Sequence, residues 1–336
     1  MDEFAEVLAH YPRPIRGLDW VRVLGAGGLS GAEIWSGQFG FDSPSEPLAL
    51  AASCSETQLT LAARKNIRCA KRYPPGTHPH DLQRQHAWLS AATRAGLGYV
   101  PRMAISTAGE TFVRVGGCIW EIQDWMPGRA DFATEPTQAK LAAACEAVLR
   151  IHGVWRQFGT RTEPSRAIRN RAAMIARWRK DAIPPKSPLE QRAAAILARH
   201  LDPLAASLAE WVDRPLPCQP CVRDLRRDHF LFEGDSLTGL IDYGAADWDT
   251  PATDAARMLG ELIGGDSELY GAGIERFREA GISADAIRIL DRAGVVGAAI
   301  RWIYRLREPR TLGVPVEVAE ARLGRLLDRL EREWLL

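Results

Sequence analysis

Residues 18–125 alternate between apolar and polar positions in short runs broken by glycines, the period-two pattern of strands that bury one face. The pattern predicts strands over 21–24, 32–35, 67–71, 111–115 and 118–123. One helix interrupts them over 80–95, where Leu82, His86 and Leu89 fall at helical spacing and Gly96 stands just past the end. Past Pro127-Gly128 the texture changes to long segments of Ala, Leu and Arg. The first, over 136–158, steps Leu141, Cys145, Leu149 and His152 along one face. Within this helical half one strand pair is expected: Phe230-Leu-Phe232, a Glu-Gly-Asp-Ser turn, then 237–241. The chain therefore divides near residue 127 into a strand-rich lobe with one helix and a helical lobe holding a hairpin, and ligands favour the cleft between two such lobes.

The length, 336 residues, suits two domains. With 46% hydrophobic and 25% charged residues, the composition excludes a disordered tail or a fibrous repeat. Forty-three basic against 42 acidic residues leave a net charge of +1, so no global field marks nucleic acid or an anionic membrane as a partner. The segment MDEFAEVLAHYPRP lacks the basic stub and apolar core of a secretory signal. Apolar stretches such as 293–300 fall far short of the roughly 20 residues a bilayer needs. Six scattered cysteines in a chain of this size fit reduced thiols, and the expected location is cytoplasmic. Cys218-Gln-Pro-Cys221 lacks the second pair, or the two histidines, that zinc would require.

Three segments carry candidate chemistry. Leu24-Gly-Ala-Gly-Gly-Leu-Ser-Gly31 brings Gly25, Gly27, Gly28 and Ser30 into a loop whose backbone could approach a polyphosphate. A dinucleotide-binding fold would need a helix after this loop, but Ala32-Glu-Ile-Trp-Ser alternates like a strand; strand, glycine loop, strand is how a kinase covers its nucleotide. In Ile67-Arg-Cys-Ala-Lys71, period two puts the Lys71 ammonium on the side of Ile67 and Cys69, where it wants an anion. Finally, Asp224 precedes the hairpin and Asp242 follows it, 18 positions on, so strand pairing returns the second carboxylate towards the first. Phosphorylating an alcohol needs one carboxylate to accept the hydroxyl proton and another to hold the divalent ion bridging the phosphates.

These residues resemble the aminoglycoside phosphotransferase and choline kinase-like superfamily, relatives of the eukaryotic protein kinases, over about residues 21–259. The family's His-Gly-Asp-x-x-x-x-Asn loop, Ile-Asp-Phe segment and Pro-x-x-Asp helix start are matched by Val222-Arg-Asp224 through His229, by Ile241-Asp-Tyr-Gly244 and by Pro251-Ala-Thr-Asp254. The resemblance implies an α+β, bilobal protein-kinase-like fold. Its nucleotide-binding lobe, an antiparallel sheet with one helix, would span 1–126, and its mostly helical catalytic and substrate lobe 127–336. It implies ATP and Mg2+ as cofactors and a small-molecule hydroxyl as acceptor. Asp224 would be the base, Asp242 a metal ligand and Asp254 a brace for the catalytic loop. Lys71 would meet the α and β phosphates, Cys69 would lie against the adenine, and Gln123, Asp124, Trp125 and Met126 would form the hinge at its edge. His152 matches a Leu-His pair with a packing role.

The chain departs from the family at Val222 and Arg223, which replace a His and a Gly, and at His229, which stands where an Asn binds metal. Magnesium prefers oxygen to imidazole. His86 falls where a helix Glu should pair with Lys71, and if protonated it would repel that lysine. Arg226, two positions after Asp224, matches a protein-kinase Lys directed at the γ-phosphate and is a candidate for charge stabilisation in the transfer. These departures motivate an alternative, a pseudokinase that binds nucleotide or acts as a scaffold without transfer. Residues 161–180 hold seven basic residues against one acid, which speaks against a cationic acceptor if they border the site; Asp247 and Asp249 are candidates for binding an acceptor amine or hydroxyl.

Overall fold

The computed structural model describes residues 3–23, 32–38, 67–181, 184–264, 267–308, 312 and 314–333. The chain falls into two compact units, Met1–Pro127 and Gly128–Leu336.

The first unit opens with two short helices, α1 (Glu3–Ala9) and α2 (Arg13–Arg16). Five antiparallel strands follow: β1 (Asp19–Val23), β2 (Glu33–Gln38), β3 (Arg68–Arg72), β4 (Val113–Val115) and β5 (Cys118–Asp124), in the sheet order β1-β2-β3-β5-β4. One helix, α3 (Pro79–Arg94), lies between β3 and β4 in sequence, with proline in its first turn, where the missing N–H costs nothing. Alternation along β5 divides its side chains. Cys118, Trp120 and Ile122 join Val7, Tyr11 and Ala70 in one core, where the α1 residue Phe4 stacks on Trp35 and meets the rings of Trp20 and Trp120. Ile119 packs instead with Leu82 of α3 and Phe112. α1 was not expected, because seven residues ending before a proline offer less than two turns of period.

The second unit begins with α4 (Gln138–Trp155), whose N-cap Thr137 accepts from the Lys140 amide at 3.0 Å. It continues through β6 (Arg161–Pro164), α5 (Arg166–Asp181), α6 (Pro188–Trp211), β7 (Pro215–Cys221), the hairpin β8 (Phe230–Glu233) and β9 (Ser236–Leu240), and β10 (Asp247–Asp249). Helices α7 (Ala252–Leu262), α8 (Ser267–Glu279), α9 (Ala284–Arg307) and α10 (Val316–Glu333) complete it. The expectation of a single strand pair in this half is corrected: β10-β7-β6 form a second, three-stranded sheet. Its central strand, Pro-Leu-Pro-Cys-Gln-Pro-Cys, has three prolines and no alternation, so only its tertiary pairing makes it a strand. Among the described residues no helix is long and apolar enough to cross a membrane.

Candidate active site

In the second unit the loop after β7 is fixed by one buried acid. Asp254, in the first turn of α7, accepts from the Val222 amide at 2.8 Å and from the Arg223 amide at 2.6 Å. Its Oδ2 also lies 2.8 Å from His152 Nε2 on α4; a carboxylate can only accept, so the imidazole proton sits on Nε2. Arg223 is held at φ +69°, in the left-handed region that costs a residue with a Cβ roughly 1–2 kcal/mol. This explains the family's glycine at the position. Here the strained turn is anchored through Asp254 and through the Arg223 guanidinium, 3.4 Å from Asp247.

The loop then presents Asp224, partly exposed, with Oδ1 accepting from Arg257 Nη2 on α7 at 3.1 Å. Arg257 was not foreseen; it follows Asp254 by three positions, so it shares that helix face, and the Pro-x-x-Asp signal could have pointed to it. His229 closes the constellation. Its Nδ1 donates to the Asp224 carbonyl at 2.8 Å, which leaves Nε2 turned towards Asp242, 3.7 Å from Oδ2. The hairpin produces this meeting, because Phe230 pairs with Leu240 and the Ile241 amide donates to the His229 carbonyl at 3.1 Å. Asp242 takes φ +63° at the end of the hairpin. Backbone strain at both Arg223 and Asp242 is of the kind that functional sites store.

Two further sets of candidates have partners within the protein. The Arg226 guanidinium forks onto Asp228 at 3.0 and 3.1 Å, and these bonds outweigh burial to raise its pKa. Asp247 and Asp249 are engaged within the protein. Asp247 accepts from Arg166 at 2.6 Å and from Arg223, while Asp249 accepts from Ser165 Oγ at 2.7 Å and from the amides of Ala167 and Thr250, both at 2.9 Å.

In the first unit Lys71 is buried and stands opposite Glu121 in the β3–β5 register. Glu121 Oε2 lies 2.9 Å from His86 Nε2 and accepts from the Tyr73 hydroxyl at 3.0 Å; His86 Nδ1 lies 2.8 Å from Thr111 Oγ1. Burial acts to raise the Glu121 pKa, but the His86 bond and charge, Lys71 and Tyr73 together hold it below the ordinary carboxylate value. His86, which cannot pair with Lys71 as a helix Glu would, thus meets a carboxylate from the neighbouring strand, and the charge of Lys71 acts on that same carboxylate. Glu121 was missed because its partner lies 50 positions away, beyond any local period.

The remaining nucleotide-side candidates are arranged along the same sheet. Cys69 is buried opposite Gln123. The Asp124 carboxylate is turned to Arg68, and its amide donates to the Arg102 carbonyl at 2.9 Å. The Trp125 amide donates to the Ile67 carbonyl at 3.1 Å, and Met126 is buried. Gly25, Gly27, Gly28 and Ser30 lie outside the described residues.

Asp242 offers a hard oxygen donor and His229 Nε2 a nitrogen whose lone pair is free when the ring is neutral, so these two fit a divalent ion. The imidazole favours manganese over magnesium. A second group, His152, Cys221 and Asp254, has the spacing of metal ligands among the described residues. His152 Nε2 and Asp254 are bonded to each other and Cys221 Sγ donates to the Asp249 carbonyl at 3.3 Å, while His152 Nδ1 is buried without a partner. Burial also pushes the Cys221 thiol well above its ordinary pKa.

No curated protein sequence matches this chain. Among solved structures, it is similar to a spectinomycin phosphotransferase in complex with ADP and spectinomycin, at 12% identity and a TM-score of 0.65 over 98% of this chain and 97% of the other. An amicoumacin kinase in complex with AMP-PNP, Ca2+ and Ami aligns at 11% identity and a TM-score of 0.60, over 99% of this chain and 92% of the other. A choline/ethanolamine kinase family protein from Mesorhizobium loti aligns at 17% identity and 0.56, over 98% of both chains. These likenesses establish the α+β kinase-like fold. A model of the phosphotransferase enzyme family matches residues 59–295, more than half of the sequence, and the chain therefore belongs to that family, a phosphotransferase of the small-molecule kinase kind.

Proposed function

We propose that the protein transfers the γ-phosphoryl group of ATP to a hydroxyl of a small molecule, with Asp224 accepting the hydroxyl proton. The observation that carries this reading is the bridge made by His229, whose two ring nitrogens face the Asp224 carbonyl at 2.8 Å and the Asp242 carboxylate at 3.7 Å. Asp242 and His229 would hold the divalent ion, which neutralises phosphate charge when bound. Lys71, balanced by Glu121, would bind the α and β phosphates, and the glycine loop would cover them. Arg257 orients Asp224 through its 3.1 Å contact, while Asp254 fixes the backbone from which it projects. Transfer then depends mainly on placement.

The pseudokinase alternative drew on His86 and His229. The first is answered by Glu121, which supplies the carboxylate missing from the helix, and the second retains a donor atom towards Asp242.

The test is acceptor-stimulated ADP release with Mg2+ or Mn2+. Asp224→Asn should lower kcat by about 10²–10⁴ while ATP still binds. His229→Asn should retain turnover and shift metal preference towards Mg2+. Full turnover by Asp224→Asn would remove the base from this reading.

A further inference from the structure

The proposed function leaves the acceptor open, and the charges around Asp224 bear on it. Helices α5 and α9 pack together, and their contact carries two guanidiniums without a carboxylate partner among the described residues. Arg171 of α5 lies beside Gly294 of α9, where a Cβ would sit 3.7 Å from Arg171 Nη2; Arg171 Nη1 is buried with no hydrogen-bond partner. Arg301, two turns further along α9, has Nη1 near Gly297, and its hydrogen bond goes to the Met174 sulfur at 4.0 Å. Arg305 follows one turn later, over the Trp302 ring.

Nearby acids are already engaged. Asp224 and Glu261 pair with Arg257 at 3.1 and 2.8 Å, Asp291 accepts from Arg329 at 2.5 Å and from Tyr270 at 2.7 Å, and Asp249 is filled by Ser165 and two amides. The excess charge is felt. Burial first, then Arg301 and Arg257, push Arg171 down to about 10 against the pull of Asp249 and Asp291. Loss of water, followed by Arg257 and Arg305, lowers Arg301, with Asp224 opposing. Arg171, with Nη1 withdrawn from water and no carboxylate to answer it, is costly to keep charged, and the exposed Arg301 beside it offers a planar fork that matches a carboxylate or phosphate. A cationic acceptor would meet the opposite of what it needs, since Asp247 and Asp249 are committed elsewhere.

We propose that the acceptor of this site is an anion: a hydroxylated small molecule whose carboxylate or phosphate is held by Arg301 and Arg171 near Asp224. This rests on the phosphotransfer reading for the word acceptor, but not for the anion.

Two measurements on the full chain test it. The first is ADP release from ATP with four size-matched hydroxyl compounds: glycerol, D-glycerate, glycerol 3-phosphate and 3-amino-1,2-propanediol. Turnover of an anionic compound ahead of glycerol supports the proposal; preference for the amine overturns it. Arg301→Gln should raise KM for the anionic compound by about tenfold with ATP KM unchanged, and Arg301→Lys should recover part of it. A rise in ATP KM alone would mean that the guanidinium serves the nucleotide, and would overturn the proposal. The second is thermal stabilisation by inorganic sulfate with ADP saturating. It should be saturable in the wild type and weakened in Arg301→Gln, a surface substitution that should fold, but unchanged in the control Arg288→Gln on an exposed face of α9. Equal stabilisation of wild type and Arg301→Gln overturns the anion site. Arg301-dependent stabilisation without turnover of any compound would instead keep the anion site and reject phosphotransfer.

Discussion

Asp254→Asn keeps the shape of the side chain and changes one acceptor into a donor. In the wild type Oδ1 accepts from the Arg223 amide at 2.6 Å, and Oδ2 from the Val222 amide at 2.8 Å and His152 Nε2 at 2.8 Å. Either orientation of the new amide sets its NH2 against at least one N–H. The less costly orientation places it at Oδ1, facing Arg223 alone. A hydrogen bond to a charged group contributes about 1.5–3 kcal/mol, and a buried donor left unsatisfied costs about 1–3 kcal/mol. The two surviving bonds also lose charge assistance. The sum is about 3–5 kcal/mol, a large part of the roughly 5–15 kcal/mol that holds a domain together. The strained Arg223 turn should relax once its amide is released, displacing Asp224. Urea unfolding and hydrogen exchange over residues 220–230 would read both effects, and kcat should fall more than ATP KM rises. An Asn variant within about 0.5 kcal/mol of wild type, with unchanged exchange at that loop, would refute the claim that Asp254 fixes the loop.

Two further predictions concern buried ionisable groups. The folded-state pKa of Glu121 is depressed below its usual 4.5, so its charge stabilises the protein above that value, and the benefit is lost as pH falls through the folded pKa. The difference in urea midpoint between wild type and Glu121→Gln should therefore be largest near neutrality and shrink below pH 4.5, and a constant difference would count against an ionised Glu121. Burial raises the Cys218 thiol to about 12 and Cys221 well above its ordinary value, so neither should react with iodoacetamide at pH 8 until urea is added. Rapid labelling of the folded chain would contradict this.

What the sequence made legible were features with a local cause. Strand alternation located Lys71 and its neighbours, and a turn between two apolar runs was enough to predict that the hairpin carries Asp242 back towards the loop of Asp224. The family pattern identified the Asp254 position through its place after a proline. What escaped was written in register or in three-dimensional packing. Lys71 and Glu121 meet because β3 and β5 are adjacent, although β4 and α3 separate them in sequence. Strand β7 has prolines where a central strand should have donors, and only β6 and β10 on either side reveal it. Arg226 illustrates a subtler limit, because matching a position in a motif could not register that Asp228, two residues on, forks with the guanidinium.

The relocated carboxylate leads to an outcome opposite to what alignment alone would predict. By family pattern, His86→Glu restores a missing ion pair and should strengthen the grip on Lys71. By the geometry, His86 Nε2 sits 2.9 Å from a carboxylate that is already in place, so the substitution would set two buried acids side by side with one lysine between them. Like charges about 4 Å apart repel by about 4 kcal/mol at an effective dielectric near 20, so one of the pair must hold a proton at neutral pH. The variant should lose about 2–4 kcal/mol at pH 7 and recover much of it near pH 5, where protonation relieves the repulsion, whereas His86→Gln should lose less and show little such recovery. Urea midpoints at the two pH values decide between the readings. If His86→Glu is instead more stable at pH 7 and binds ATP more tightly, Lys71 accepts a helix carboxylate after all, and Glu121 is not its partner in the nucleotide grip.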